Sequence, residues 1–192
     1  GTVCSGDALP GGEPGGNDQA NMQQAARFLT TADNLYMREY WRALYTAIYR
    51  ANLLKSYMDQ PDILIDFPEE TRERLLGDAL FLRGLLHFKL QIFFGGYPQL
   101  QSDFNNELKG VPYVDHVLAP TEWEQERPPL DTTWAGIESD FIEAAKLLPP
   151  RSEIDDVELG RATSGAATAM LAKTYLYQNK FQQAYEAARE VI

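Results

Sequence analysis

Basic residues are scarce in this chain. Seventeen lysines and arginines stand against 28 aspartates and glutamates, giving a net charge of −11 over 192 residues. A nucleic-acid groove needs a basic face to neutralise phosphates, and no Lys/Arg cluster is present to build one. A polybasic membrane-surface site is disfavoured for the same reason. Cys4 is the only cysteine, so no internal disulfide can form. Histidine is limited to His87 and His116. Neither lies in a His/Glu helix motif for zinc, and there is no Cys–His signature and no Gly-x-Ser-x-Gly elbow. Asp155-Asp156 lacks the alternating spacing of a calcium loop. No apolar run reaches the 18 residues of a membrane-spanning helix. No catalytic residue, metal or cofactor is therefore expected. Carboxylates are plentiful, which leaves a helical glycosidase pair open on composition alone.

Apolar material is abundant. Hydrophobic residues make up 44% of the chain, with ten tyrosines, nine phenylalanines and three tryptophans. That is enough to build a packed core and speaks against disorder in the bulk of the chain. Its distribution is helical. Residues 1–20 are the exception: six glycines with Pro10 and Pro14 forbid a helix before about Asp18 and predict a Gly-rich surface loop. A short helix is expected over 17–29. A longer one follows the Asp33-Asn34 cap and runs from Leu35 to about Asp59. Its buried stripe is Trp41, Leu44, Tyr45, Ile48, Ala51 and Leu54 or Lys55. Asn52 falls beside that stripe and must be hydrogen-bonded, tying down a neighbouring loop or helix.

Pro68-Glu69-Glu70 opens a third helix, expected to reach Phe94. Leu75, Leu76, Ala79, Leu82, Leu86 and Leu90 form one apolar face. Phe81, Leu85, Phe88 and Ile92 form a second, the mark of a helix sandwiched between neighbours. Arg83 lies inside this run and is expected to be buried against a carboxylate or helix-end carbonyls. His87 is expected in the core. Residues 97–130 carry five prolines and break the rhythm, a long inserted loop. Asp131-Thr132-Thr133 then caps a helix to about Leu148, with Trp134, Ile137, Phe141, Ala144 and Ala145 as its stripe. Residues 163–192 form a helical hairpin broken at Gln178-Asn179-Lys180. Leu171, Ala172 and Tyr175 on its first helix and Phe181, Ala184 and Ala188 on its second match a tetratricopeptide pattern. Small residues let the backbones approach while Tyr175 and Phe181 fill the wedge. The fold class expected is all-α: stacked helical hairpins with long irregular loops, in a single domain over 1–192.

Four stretches resemble one family. Trp41, Leu44, Tyr45, Ile48, Ala51 and Asn52 resemble its Trp…Tyr…Ile…Ala-Asn helix. Gly77-Asp78-Ala79, Phe81-Leu82-Arg83-Gly84 and Phe94-Gly95-Gly96-Tyr97-Pro98 resemble its Glu-Ala-x-Phe-Leu-Arg-Ala…Phe-Gly-x-x-Pro block, with Asp78 and Gly84 replacing the usual Glu and Ala. Ile137, Asp140, Phe141, Ala144 and Leu148-Pro149 resemble a helix ending in Leu-Pro. Gly160-Arg161, Thr163, Ala166, Leu171-Ala172-Lys173 and Tyr175 resemble a Gly-Arg-x-Thr block opening a tetratricopeptide pair. Ser5-Gly6-Asp7-Ala8 with Gly11-Gly12 resembles a further loop. Together they are similar to the SusD/RagB family of outer-membrane nutrient-binding lipoproteins, collinearly over nearly the whole chain.

The resemblance implies a non-catalytic protein that captures oligosaccharides or other small nutrients at the cell surface and delivers them to a SusC-like TonB-dependent transporter. It implies an α/α superhelix and a longer parent protein, held to the outer membrane by a lipid anchor outside this chain. The start at Gly1 is read as a trimmed or processed one. The loop residues offered as ligand contacts are Asp7, Asn17 and Asp18, which supply polar groups, and Tyr97 and Trp123, which supply aromatic platforms. A tetratricopeptide-type scaffold for a protein or peptide is the alternative.

Overall fold

The computed structural model describes residues 20–27, 29–31, 33–60, 67–98 and 108–192. Among them are six α-helices and no strand. We number them α1 (Ala20–Ala26), α2 (Leu35–Met58), α3 (Glu69–Leu90), α4 (Leu130–Leu147), α5 (Ser164–Tyr177) and α6 (Phe181–Arg189). The chain divides into two compact units, Gly1–Tyr45 and Thr46–Ile192. The Gly-rich loop predicted over 1–20 falls outside the described residues up to position 19.

In the first unit a buried asparagine organises the start of α2. The Asn34 side-chain oxygen accepts from the Met37 amide at 3.1 Å, as an N-cap should. Its amide group donates to the Asn21 carbonyl at 2.9 Å and to Gln24 Oε1 at 3.0 Å. Asn21 Oδ1 accepts in turn from the Leu35 amide. The cap read from Asp33-Asn34 is thus Asn34, and it also ties α1 to α2.

In the second unit α3, α4, α5 and α6 pack in succession, each against the next. Phe88 from α3, Leu130, Trp134, Ile137 and Phe141 from α4, and Leu171 from α5 form the main core. A second cluster joins Leu80, Ala144, Leu148 and Ala167. Removing each large side chain from water is worth about 1.5–3 kcal/mol, so these residues set the order of the stack. Short turns make the packing possible. Gln178–Lys180 reverses the chain between α5 and α6, with Asn179 in the left-handed region at φ 62. Thr163 caps α5, its hydroxyl accepting from the Ala166 amide at 3.0 Å. Arg161, two residues earlier, donates from Nε to Asp78 on α3 at 3.1 Å. Two separate sequence motifs therefore meet in one ion pair.

Four expectations need correction. α3 ends its regular course at Leu90, and Gln91–Gly95 continues as a single π-helical turn, closed by a hydrogen bond from the Gly96 amide to the Gln91 carbonyl. Leu82 is half exposed. Ala79 and Leu90 of the expected face are buried, but so are Gly77, Leu80, Arg83, Gly84, His87 and Phe88, and the small and polar residues among these let α4 come close. Phe181 does not fill a wedge. It is 61% exposed, Tyr185 is also exposed, and the buried position of α6 is Ala187. Asp131-Thr132-Thr133 does not cap α4 either, because the helix has already begun at Leu130 behind Pro129.

Gly136 on α4 marks a close approach to the site. A Cβ there would lie 2.6 Å from ring atoms of Tyr113, whose ring also packs on His87 with centroids 4.5 Å apart. Alanine gains about 1 kcal/mol in helix propensity over glycine. Overpacking at this distance costs about 1–3 kcal/mol and wins. Gly136→Ala is predicted to lower the thermal midpoint measured by calorimetry. An unchanged or raised midpoint would contradict this placement of Tyr113.

Candidate functional site

Between α3 and α4 the chain leaves the helical stack and returns through residues 108–129. This excursion is closed at its base. Lys109 and Pro129 form an isolated antiparallel bridge, and the Gly110 amide donates to the Pro128 carbonyl at 2.9 Å. The first limb, 110–116, is irregular and partly buried, with Val111 and Val114 in the core. It belongs to no sheet, so its buried amides and carbonyls need other partners. Helix side chains supply them.

Gln91, fully buried in the π turn, accepts from the Val111 amide at 3.0 Å and donates to the Gly96 carbonyl at 2.7 Å. Thr133 on α4 donates to the Val111 carbonyl at 2.7 Å. This is where the hydroxyl that looked like a helix cap is used. His87 Nε2 accepts from the Val114 amide at 3.1 Å. Asn52 donates to the carbonyls of Val114 and His116, both at 3.0 Å. Arg83 donates through Nη1 to the Asp115 carbonyl at 2.7 Å and to Asn52 Oδ1 at 2.9 Å. The rest of its guanidinium grips Asp140, with Nη2 at 2.6 Å from Oδ1 and Nε at 3.1 Å from both oxygens. The Tyr113 ring lies 5.9 Å from the Arg83 guanidinium carbon, which places it over the buried ion pair.

The electrostatics follow from this geometry. Burial opposes the Arg83 charge, but the hydrogen bonds and charge of Asp140 outweigh it and hold the guanidinium above its ordinary range. Burial, reinforced by the Asp140 carboxylate, pushes the Tyr113 hydroxyl well above the usual phenol value. His87 is fully buried, and desolvation lowers its pKa to about 3, with the nearby Arg83 charge acting in the same direction. Its Nε2 accepts a hydrogen bond, so the ring proton sits on Nδ1, 3.1 Å from the Arg83 carbonyl. The imidazole is neutral with a fixed tautomer, a structural acceptor and not an acid or base near neutrality.

The far end of the excursion is exposed. Pro120–Glu122 forms one 3₁₀ turn, and Glu122 reaches back so that Oε2 accepts from the Ala119 amide at 2.8 Å, the acidic half of a capping box. Glu122 Oε1 lies 3.2 Å from His116 Nε2, and Asp115 Oδ1 lies 2.8 Å from His116 Nδ1. Trp123 follows directly and is 69% exposed, with Glu124, Gln125 and Glu126 exposed beside it. On the second limb Arg127 donates to the Phe94 carbonyl at 2.8 Å, joining the loop to the π turn.

Of the five residues offered as ligand contacts, Asp7, Asn17 and Asp18 lie outside the described residues. Tyr97 is half-buried, its ring edge-on to Tyr177 with centroids 5.6 Å apart, and it packs against the main core. Trp123 presents an open face. The sequence reading gave His116 no role. The signal available was the spacing of Asp115, His116, Pro120 and Glu122, since proline early and glutamate third in a short helical turn is a start signature.

His87 yields a pH prediction. The unfolded chain binds its proton near the ordinary value of 6.5 and the folded chain only near 3, so stability is complete above 6.5 and falls as pH drops through that window. At pH 4 this residue alone should cost about 3 kcal/mol relative to pH 7. Denaturant titrations of wild type and His87→Gln, where Oε1 can replace Nε2 as acceptor, should differ in slope by about one proton between pH 6.5 and 4. Parallel curves would count against a buried neutral His87.

Comparison with known proteins agrees with this architecture. A SusD-like family model, described as starch-binding and associating with the outer membrane, matches residues 15–176. A laminarin-binding SusD-like protein of known structure is 28% identical, with a TM-score of 0.77 over 99% of this chain and 38% of its own. A protein from Bacteroides vulgatus described as a putative sugar binding protein is 28% identical, with a TM-score of 0.69 over 88% of this chain and 35% of its own. A SusD superfamily protein from Bacteroides thetaiotaomicron is 25% identical, with a TM-score of 0.74 over 94% and 37%. The chain thus spans well under half the length of these relatives. No curated protein matches it. The helical stack and the matched model lead to one assignment: the chain belongs to the SusD-like family, whose members are carbohydrate-binding proteins associated with the outer membrane.

Proposed function

We propose that this chain is the helical portion of a surface glycan-binding protein that hands oligosaccharide to a SusC-like TonB-dependent transporter without catalysing a reaction. A lipid anchor outside residues 1–192 would hold the parent protein at the outer membrane. The observation that carries the reading is Trp123. Its face is open to solvent, on a loop bridged at the base and braced along one limb by buried side chains. A flat aromatic stacks under a pyranose ring, and exposed Glu124, Gln125 and Glu126 beside it offer groups for sugar hydroxyls. Bracing matters because a platform ordered in advance loses little entropy on binding. Asp7, Asn17, Asp18 and Tyr97 are the further contacts proposed from the sequence.

One observation favours a second reading. Phe181 and Tyr185 form an exposed apolar stripe on α6, which suits a helical peptide partner. The two readings separate by calorimetry on the full-length protein with laminarin and starch oligosaccharides. Trp123→Ala should weaken the best glycan about tenfold, with Phe181→Ser neutral. Glycan affinity indifferent to Trp123, or lost instead through Phe181, would overturn the proposed site.

A further inference from the structure

His116 sits between two carboxylates, with Nδ1 2.8 Å from Asp115 Oδ1 and Nε2 3.2 Å from Glu122 Oε1. A carboxylate can only accept a hydrogen bond, so both ring nitrogens must donate. A neutral imidazole has one N–H, and this arrangement therefore needs the doubly protonated ring. One partner is anchored: the Asp115 carbonyl is held by Arg83, and the His116 carbonyl by Asn52. The other partner is the movable one. Glu122 caps the 3₁₀ turn through the Ala119 amide, and Trp123 is the next residue.

We infer that Asp115, His116 and Glu122 form a proton-operated clasp that positions Trp123, closed while His116 carries its second proton and loosened when it is lost. The surrounding charges agree in sign. Asp115 and then Glu122 hold the His116 imidazolium above the ordinary histidine range. In return His116 lowers the Asp115 carboxyl, and the Ala119 amide and His116 lower that of Glu122. Arg83 acts on Asp115 from the buried side, through a smaller contribution that also favours the carboxylate. The clasp is exposed, so its effect is a modulation of about fivefold or less that salt weakens. Its bearing on ligand capture rests on the reading of Trp123 as a glycan platform. On that reading, binding is tighter on the acid side of the His116 titration.

The test uses the full-length protein labelled with 5-fluorotryptophan, the Trp123 signal being assigned by Trp123→Phe. From pH 5.5 to 9 the ¹⁹F resonance of Trp123 should follow one proton with a midpoint above 6.5, and the same titration should vanish in His116→Gln and shift downward in Glu122→Gln. In parallel, calorimetry with a laminarin oligosaccharide should show affinity falling by up to about fivefold from pH 6 to pH 9 in wild type and staying level in His116→Gln. A flat Trp123 resonance, or one that titrates equally in His116→Gln, would overturn the clasp. If the resonance titrates as expected but no glycan binds through Trp123, the clasp stands and the platform reading falls.

Discussion

The loop between α3 and α4 depends on how residues 110–116 satisfy their backbone. A partly buried, irregular segment with no strand beside it has peptide groups that would each cost about 1–3 kcal/mol if buried unpaired. Here the partners come from helices. Gln91, His87, Asn52, Arg83 and Thr133 each place a donor or acceptor against a particular amide or carbonyl of the limb. Five side chains from three helices thereby do the work of a neighbouring strand. They also fix the register of the limb, because each hydrogen bond names one residue of it.

This arrangement explains why charge is tolerated inside. The Arg83–Asp140 pair is almost wholly shut from solvent, and a buried ion pair rarely adds net stability. What it contributes is placement. Asp140 orients the guanidinium, and the guanidinium then reaches the Asp115 carbonyl and Asn52. Tyr113 closes over the pair, and Gly136 leaves room for its ring. The rigid part of the molecule extends in this way from the core to the foot of the loop that bears Trp123. Beyond His116 the contacts are exposed and individually small, so this part of the molecule is the one that conditions such as pH and salt can adjust.

Much of this was legible in the sequence, for physical reasons that differ from residue to residue. Helical periodicity located α2 to α6, and the burial of Arg83 against a carboxylate, the tying role of Asn52 and the core position of His87 follow from polar residues interrupting apolar stripes. The particular partners were not legible. Asp140 lies 57 positions from Arg83, and Val114 lies 62 from Asn52, distances over which no local pattern operates. Leu82 and Phe181 misled because hydropathy alone assigns any large apolar side chain to the interior, whereas small residues such as Gly77 and Gly84 decide which face of α3 packs. Trp123 stands out as an aromatic in a proline-rich loop, but its brace rests on Gln91, His87 and Thr133 converging on one limb, which no local pattern encodes.

Amide hydrogen exchange measured residue by residue on the full-length protein addresses the central claim most directly. If helix side chains replace a strand partner, the Val111 and Val114 amides should exchange as slowly as amides in the middle of α4, although neither lies in a helix or a sheet. Exchange at the rate of an open loop at both positions would mean that the limb is not held this way, and that nothing fixes the loop it leads into.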